Sequence, residues 1–283
     1  MKPQIRRFAQ TLSPELFHWC RSVHLRKRFR RQFSFDQRLF REAFYPGNRT
    51  PEVLTGPFRG MFYLDETVWG PITPKWAGAY ELELEDIIDD IARHGYGRIV
   101  NIGCAEGYYA VGLALLDHKP EVFAFDLDPI ARRQARRLAR LNGVPERVRV
   151  FGECTHFKLN ELITGKTFVV CDIEGHELVL LDPAKVPGLK NADLLIEVHE
   201  ESVSAGIQRV EERIAGRFAG SHSIECRVSH DREIWIREHE LLWQGRVSRE
   251  RMLKSLDEAR SGSQVWLWAR ARRLPLLDRV PEN

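Results

Sequence analysis

Short apolar runs alternate with amphipathic stretches along residues 98–200. The runs cover residues 99–102, 122–125, 148–151, 168–171 and 193–198. Between the second and third runs, residues 130–141 place apolar side chains at helical spacing and arginines on the other face. Apolar strands separated by amphipathic helices are typical of a parallel sheet covered on both faces. Residues 221–228 and 264–271 can add two antiparallel strands, so we predict an α/β fold with a doubly wound, mostly parallel seven-stranded sheet.

Composition indicates how the chain is divided into segments. Residues 1–75 begin with a basic stretch and continue with many prolines and glycines. They predict an N-terminal helical extension followed by a linker or lid. Residues 76–272 form the α/β domain, which contains a charged, partly helical insertion at about 230–261 that is a candidate substrate lid. We expect residues 273–283 to be an exposed tail.

The composition is that of a globular protein, with 283 residues, 43% hydrophobic and 29% charged. No apolar run approaches the roughly twenty residues needed to span a bilayer, and the N-terminus lacks the apolar core of a signal peptide. The five cysteines are an odd number without a C-x-x-C pair. This pattern favours reduced thiols over disulfides or a zinc site, so we expect a cytoplasmic protein without a membrane span.

Positive charge is concentrated at the N-terminus. Residues 1–50 contain twelve Lys and Arg against three Asp and Glu, a local balance of +9 in a chain of net charge +3. The basic run at 26–31 is followed by four phenylalanines, Phe33, Phe35, Phe40 and Phe44. Basic residues among aromatics can grip phosphates and stack bases, or lie on an anionic membrane surface. A solvated helix whose phenylalanines pack on the domain is the simpler interpretation, so we expect no nucleic-acid partner.

The first apolar run leads into a glycine turn. Gly103 and Gly107 allow the backbone to turn tightly, and the lack of a Cβ lets it approach a ligand. The N–H groups at the start of the next helix can hold a negative group, and Asp126, after the second run, can accept both hydroxyls of a ribose. A dinucleotide site would need glycine in place of Ala105 and Tyr108, and the lysine of a P-loop is absent. The remaining pattern resembles the S-adenosylmethionine loop of class I methyltransferases.

Acids and histidines follow the fourth and fifth apolar runs. Asp172, Glu174 and His176 lie close together after the fourth run. Glu197 and His199 share one side of the fifth strand, because side chains alternate with a period of two. The carboxyl ends of neighbouring parallel strands meet at one edge of the sheet, so we expect these side chains to cluster there. Ionisable groups gathered in this way are costly unless they bind or catalyse.

Two further acids are candidate cofactor contacts. Glu153 ends the third strand on the ligand side of a doubly wound sheet, where it can accept a hydrogen bond from an adenine amino group. Glu81 stands near the start of a helix that we predict from residue 80. It can reach the amino group of a cofactor, or it complements the helix dipole.

Three segments resemble the FkbM-type methyltransferases, over about residues 76–200. CDIEGHELVLL is similar to their D-x-E-G-x-E signature, LLIEVHE to the strand that follows it, and AFDLDP to their ribose-binding strand end. The chain departs from the family at Asn101, where an acid is usual, and at Cys104. Asn101 accepts a hydrogen bond but supplies no charge, so Glu106 or Glu81 is the candidate to compensate. The resemblance implies S-adenosylmethionine as the cofactor, with these contacts: Asn101, Gly103, Cys104, Ala105, Glu106, Gly107, Asp126, Glu153 and Asp172.

We expect methyl transfer to an oxygen of a small-molecule or sugar-like acceptor, because the NPPY-type motif for base amino groups and a cysteine pair for C5 chemistry are both absent. The sulfonium is already activated, so the protein must align the reactants and remove the proton of the acceptor. The catalytic candidates are Asp172, Glu174, His176 and His199.

Three alternatives stay open at this point. Asp172, Glu197 and His199 can instead hold Mg²⁺ or Mn²⁺, which would activate a bound hydroxyl, although we expect a metal-free reaction. The chain can be an RNA methyltransferase that uses the basic arm. It can also be a non-catalytic scaffold that keeps the cofactor fold.

Overall fold

The computed structural model describes residues 14–199, 209–260, 262 and 264–272, and the side chains at 14–22, 25, 26 and 30 are outside the description. The predicted tail at 273–283 and the first part of the basic extension lie outside the described residues.

Seven strands form one sheet in the order β3-β2-β1-β4-β5-β7-β6. Neighbouring strands from β3 to β5 are parallel, and β7 pairs antiparallel with both β5 and β6. The doubly wound, mostly parallel sheet predicted from the apolar runs is therefore confirmed. The strands are β1 Arg98–Ile102, β2 Glu121–Phe125, β3 Val148–Phe151, β4 Thr167–Cys171, β5 Asp193–Val198, β6 His222–Val228 and β7 Val265–Ala271.

Helices connect and cover these strands. The longer ones are α1 Pro14–Phe44, α3 Glu85–His94, α5 Pro129–Leu141 and α8 Val210–Phe218. The shorter ones are α2 Thr73–Ala77, α4 Tyr108–Ala114, α6 His156–Leu162, α7 Glu177–Leu180, α9 Glu233–Glu238, α10 Glu240–Trp243 and α11 Arg249–Ser255, with 3-10 turns at Leu82–Leu84 and Pro187–Asn191. The helix predicted from residue 80 thus begins slightly later, through the first 3-10 turn. The start of α5 is as predicted, because the Asp128 side chain accepts a hydrogen bond from the backbone N–H of Ile130 and proline occupies the first position.

The strand register brings the candidate residues to one edge of the sheet. Ile102 pairs with Phe125 on one side and with Cys171 on the other, and Cys171 pairs with Ile196. The residues one position further along form a row at the carboxyl edge: Asp126, Gly103, Asp172 and Glu197. The order of the strands reverses between β1 and β4, and ligands of doubly wound sheets bind at such a point.

The extension shares the hydrophobic core of the sheet. Phe40 and Phe44 of α1 are buried against Trp76, in the same core as strand residues of β1 and β5. The prediction that the phenylalanines pack on the domain is correct for these two, but Phe35 is 57% exposed. The segment at 45–72 has little regular structure, yet it contributes buried side chains such as Met61 to this core.

The insertion at 230–261 packs against the extension. Its three helices, α9 to α11, contain Trp235 and Trp243, and both indole rings are buried. Trp235 Nε1 donates to Thr55 Oγ1 at 2.9 Å, and α11 contacts α1. The tryptophans therefore hold the insertion in place, and only its last residues reach the edge of the sheet. In the part of the chain that the structure describes, no helix has both the length and the apolar character to cross a membrane.

Candidate active site

Asp172, Glu197 and His199 form a cluster at the carboxyl ends of β4 and β5. Each offers one oxygen or ring nitrogen, and these atoms all lie within 4.8 Å of one another. The side chains meet because Asp172 follows β4, Glu197 is in β5, and the two strands are parallel neighbours. The clustering predicted from the apolar runs is observed for these three residues.

Glu177 fixes the orientation of the His199 ring. His199 Nδ1 lies 2.9 Å from Glu177 Oε1, and the Glu177 carboxylate is fully buried. The same oxygen accepts from the backbone N–H groups of Gly175 at 3.1 Å and Ile173 at 3.3 Å. Because a carboxylate only accepts, it requires the proton on Nδ1. The other nitrogen, Nε2, therefore faces the site, 3.6 Å from Asp172 Oδ1.

The electrostatics of the cluster favour one proton on the carboxyl pair. Burial raises the pKa of Asp172, and burial together with the negative charges of Asp172 and Glu81 raises the pKa of Glu197 much further. Two carboxyl groups this close do not both ionise readily, so the pair shares a proton more easily than it loses both. Burial lowers the pKa of His199, but the hydrogen bond to Glu177 and the charge of Asp172 outweigh burial and raise it above the ordinary value. The same hydrogen bond, with backbone N–H donors, outweighs the burial of Glu177 and lowers the pKa of that carboxyl.

Arg260, at the end of the insertion, reaches this edge of the sheet. Its Nη1 donates to Glu197 Oε1 at 2.8 Å, its Nε lies 2.7 Å from Glu258 Oε2, and its Nη2 binds Glu81. The guanidinium also lies over the Tyr80 ring, with Cζ 5.4 Å from the centroid. Sequence reasoning missed Arg260, since one arginine in a charged insertion gives no signal of long-range contacts.

Glu81 is linked to the same cluster through Arg260. Its backbone is left-handed, with φ of 54°, and its carboxylate accepts from the Tyr109 hydroxyl and from Arg260. The charge of Glu81 raises the pKa of Asp172. Glu81 therefore belongs to the acidic side chains of this cluster, and its predicted contact with the amino group of a cofactor stays a prediction.

The two glycines of the turn are required by protein contacts. Gly103 has φ of 80°, and a Cβ there would lie 1.6 Å from the carbonyl oxygen of Asp172. Gly107 has φ of 98°, and a Cβ would lie 3.3 Å from Cα of Ala135 in α5. The expectation that a Cβ would occupy ligand space is therefore wrong at both positions. The missing side chains instead let the turn pack against β4 and α5.

Most backbone N–H groups of the turn are used within the protein. The N–H groups of Gly103 and Cys104 both donate to Phe125 O, at 2.8 and 2.9 Å, and that of Gly107 donates to Cys104 O at 2.8 Å. The Cys104 thiol is buried, and burial raises its pKa. These two backbone N–H groups are thus used within the protein, and the contacts of Gly103 and Cys104 with a cofactor stay a prediction.

Asp126 links the turn to the end of β2. Its Oδ2 accepts from the backbone N–H of Ala105 at 2.8 Å, and its Oδ1 accepts from the backbone N–H of Asp128 at 2.8 Å. Burial raises the pKa of Asp126 to about 7. Each carboxylate oxygen has a second lone pair, so the two N–H contacts orient the group and leave it able to accept further hydrogen bonds.

Asn101 has a buried acceptor without a donor. Its side chain is 2% exposed, and Oδ1 has no hydrogen-bond partner among the described residues. Side chains alternate along a strand, so Asn101 and Ile99 lie on the same face of β1. Ile99 belongs to the same core cluster as Trp266, and Trp266 pairs with Glu197 of the site. A buried carbonyl oxygen in this position is costly to leave unpaired, which points to a ligand donor such as an ammonium or a hydroxyl.

Glu106 is directed into the core. It is fully buried, and its carboxylate binds Lys75 Nζ, the Tyr63 hydroxyl at 3.0 Å, the Thr67 hydroxyl at 3.1 Å and the backbone N–H of Val68 at 3.3 Å. Burial alone would raise the pKa of Glu106, but the positive charge of Lys75 lowers it. The expectation that this side chain contacts the cofactor is corrected, since its acceptors already face four donors.

Three other candidate residues lie at the surface of the protein. Glu153, Glu174 and His176 are exposed. His176 stands at the N-cap of α7 without a side-chain capping bond, and Glu174 has a left-handed backbone with φ of 57°. Glu177, and not the catalytic candidate His176, contacts His199. The signature D-x-E-G-x-E contained Glu177, but sequence reasoning gave it no separate role.

Comparisons with known proteins give a fold likeness only. No family model and no curated protein matches the chain. Among solved structures, the MccD protein is 12% identical over 69% of this chain and 98% of its own, with a TM-score of 0.40. An O-methyltransferase from Bacillus cereus in complex with SAH is 12% identical over 64% of this chain and 77% of its own, with a TM-score of 0.40. Protein 1320 of Thermoplasma acidophilum is 18% identical over 71% of this chain and 91% of its own, with a TM-score of 0.38. Likenesses this weak carry no argument about activity.

Proposed function

We propose that this chain is an S-adenosylmethionine-dependent methyltransferase that acts on an oxygen of a small-molecule acceptor. The observation that carries the proposal is the row at the carboxyl edge of the sheet. An oriented acid, Asp126, stands at one end of the row, and an oriented imidazole, His199, stands beside the other end. The unpartnered oxygen of Asn101 lies on β1 between them. The resemblance of three sequence segments to FkbM-type methyltransferases supports the same conclusion.

The residues present fit the cofactor. Asp126 keeps lone pairs for two ribose hydroxyls, and the Asn101 carbonyl oxygen needs a donor such as the methionine ammonium. Asp172 and Glu81 add negative charge near this place, which suits a cationic ligand. When bound, the cofactor supplies an activated methyl group on a positively charged sulfur.

His199 is the proposed general base. Glu177 holds the proton on Nδ1, so Nε2 is free to take the proton of the acceptor hydroxyl as its oxygen bonds to the methyl group. Asp172, 3.6 Å from Nε2, stabilises the imidazolium that forms. Glu177 acts through His199 and is a positioning residue.

We favour a reaction without a metal ion. Asp172, Glu197 and His199 have the residue types and spacing of a cation site, but the Arg260 guanidinium already lies 2.8 Å from Glu197 Oε1. Its positive charge repels a cation there, and Mg²⁺ prefers oxygen ligands over imidazole.

Calorimetric titration with S-adenosylhomocysteine tests the proposal. We expect binding by the native protein, and Asp126→Ala should weaken it by about 1–3 kcal/mol, the scale of lost hydrogen bonds to a buried polar group. Asp117→Ala removes an exposed aspartate after α4 and serves as the control, with unchanged affinity. Absence of binding to the native protein would refute the function, whereas equal loss in both variants would remove Asp126 from the site. Mass spectrometry of ligands that co-purify with the protein then identifies the acceptor.

A further inference from the structure

Two helices expose cations that have no acidic partner. On α1 and α5, the exposed cations whose side chains the structure describes are Lys27, Arg28, Arg31, Arg38, Arg133, Arg136, Arg137 and Arg140. None of them forms an ion pair with another described residue, and Arg136 donates to a backbone carbonyl, Val150 O, at 2.7 Å. Half of the exposed arginines elsewhere in the described residues do have acidic partners, such as Arg93 with Asp90 at 3.4 Å.

The two helices themselves contribute few acids, although Arg38 lines one groove with Asp65 and Glu66. Helix α5 contains no Asp or Glu. On α1, Asp36 is buried and pairs with Lys254 at 3.2 Å, so Glu42 is the one exposed acid among the side chains of α1 that the structure describes. The two helices pack against each other, and on each helix the exposed cations lie on the side opposite the buried side chains. Like charges gathered in this way repel one another and favour an anionic partner.

Exposed apolar side chains accompany the cations. Phe35 is 57% exposed and lies between Arg31 and Arg38 in the sequence of α1. At the carboxyl end of α5, Phe62 and Leu141 are 45% and 38% exposed.

These two side chains border a groove of about 420 Å³, whose lining includes Phe58, Met61, Leu115 and Leu116 beside the polar Arg59 and Asn142. Hydrocarbon side chains around a groove do not suit a nucleic-acid strand, which presents phosphates and flat bases. A bilayer surface presents anionic headgroups and hydrocarbon together.

We propose that α1 and α5 form a docking face for the surface of an anionic lipid bilayer. The lysine and arginines contact lipid phosphates, while Phe35 and Phe62 enter the boundary between headgroups and acyl chains. The attachment is peripheral, since no described helix can span the bilayer. This inference does not depend on the proposed methyl transfer and is tested separately from it.

Co-sedimentation with lipid vesicles tests the docking face. The full chain is mixed with vesicles of phosphatidylcholine alone or with added phosphatidylglycerol, at low and high salt. We expect binding to the anionic vesicles only, and we expect salt to weaken it because the exposed charges are screened. The triple variant R133Q/R137Q/R140Q should lower the partition coefficient roughly 100-fold, from about fivefold per cation removed.

A matched control separates the face from general charge. The variant R93Q/R209Q/R249Q removes three exposed arginines that have acidic partners elsewhere on the molecule, and it should bind as the native chain does. Phe35→Ser should reduce binding several-fold even at high salt, where the electrostatic part is screened.

Equal loss in both triple variants would overturn the proposal, as would equal binding to the two kinds of vesicle. A parallel titration with a single-stranded RNA homopolymer distinguishes a lipid surface from nucleic acid as the partner of this face. Tight, salt-sensitive RNA binding without vesicle binding would assign the face to nucleic acid instead.

Discussion

The buried ion pair between Lys75 and Glu106 is expected to be a large contributor to stability. Both side chains are almost completely inaccessible to solvent, at 4% and 0% exposure. Removing one partner leaves an uncompensated charge in the core, a change that costs about 3–5 kcal/mol. Because the free energy of unfolding of a typical domain is about 5–15 kcal/mol, either Lys75→Met or Glu106→Gln should lower the urea midpoint markedly.

The double variant K75M/E106Q distinguishes pairing from simple packing. It removes both charges and keeps most of the volume, and the glutamine oxygen can still accept from Tyr63 and Thr67. We expect the double variant to lose less stability than the two single variants together, by at least about 2 kcal/mol, because neither charge is left alone. The exposed pair of Arg93 and Asp90 is the control, and Arg93→Met should cost less than about 1 kcal/mol.

Acid titration gives an independent measure of the same pair. The pKa of Glu106 is lowered in the folded state. Its contribution to stability is therefore present above the unfolded-state pKa, near 4.5, and is lost as the pH falls through the folded-state value. Single variants within about 1 kcal/mol of the native protein, or strict additivity in the double variant, would refute this reasoning.

Three further predictions address the site. Turnover should rise with pH through a midpoint above 6.5, because His199 must be neutral to accept a proton and its pKa is raised. Glu177→Gln should move that midpoint to lower pH, because it removes the carboxylate charge beside the imidazole. A pH profile that Glu177→Gln leaves unchanged would exclude the positioning role. EDTA should leave turnover unchanged, and activity that is lost with EDTA and restored by Mg²⁺ or Mn²⁺ would instead support the metal site at Asp172, Glu197 and His199. Gly103→Ala should destabilise the protein by about 1–3 kcal/mol more than Gly95→Ala in thermal or urea unfolding. Both glycines have positive φ, but of the two only Gly103 would place the new Cβ against a backbone atom, so equal losses would contradict this account of the turn.

The sheet was predictable from sequence because central strands such as β2 and β4 are nearly continuous apolar runs, and such runs report burial on both faces. Asp172, Glu197 and His199 were predictable for a related reason, since a position at or just beyond the carboxyl end of a parallel strand fixes the place of a residue at the sheet edge. Local pattern carries no information about partners that lie far apart in the chain. Arg260 contacts Glu81 from 179 positions away, and no periodicity reveals that pair.

The error at Glu106 has the same origin. Its place in the glycine turn suggested a ligand contact, but Lys75, which is 31 positions earlier, draws the carboxylate into the core. The sequence around Lys75 reads as an irregular, proline-rich segment and gives no sign that this lysine is buried. Tertiary packing, which local sequence does not encode, decided the direction of this side chain.

The place of β7 in the sheet bears on how the molecule can fold during its synthesis. β7 is the last of the strands that the structure describes, yet it lies between β5 and β6. Until residue 271 has left the ribosome, the edge of β5 therefore has no partner strand, and Glu197 lacks Trp266 opposite it. An unpaired strand edge invites pairing with other chains. The nascent protein should accordingly depend on rapid insertion of its final strand, or on chaperones that cover β5 until this strand arrives.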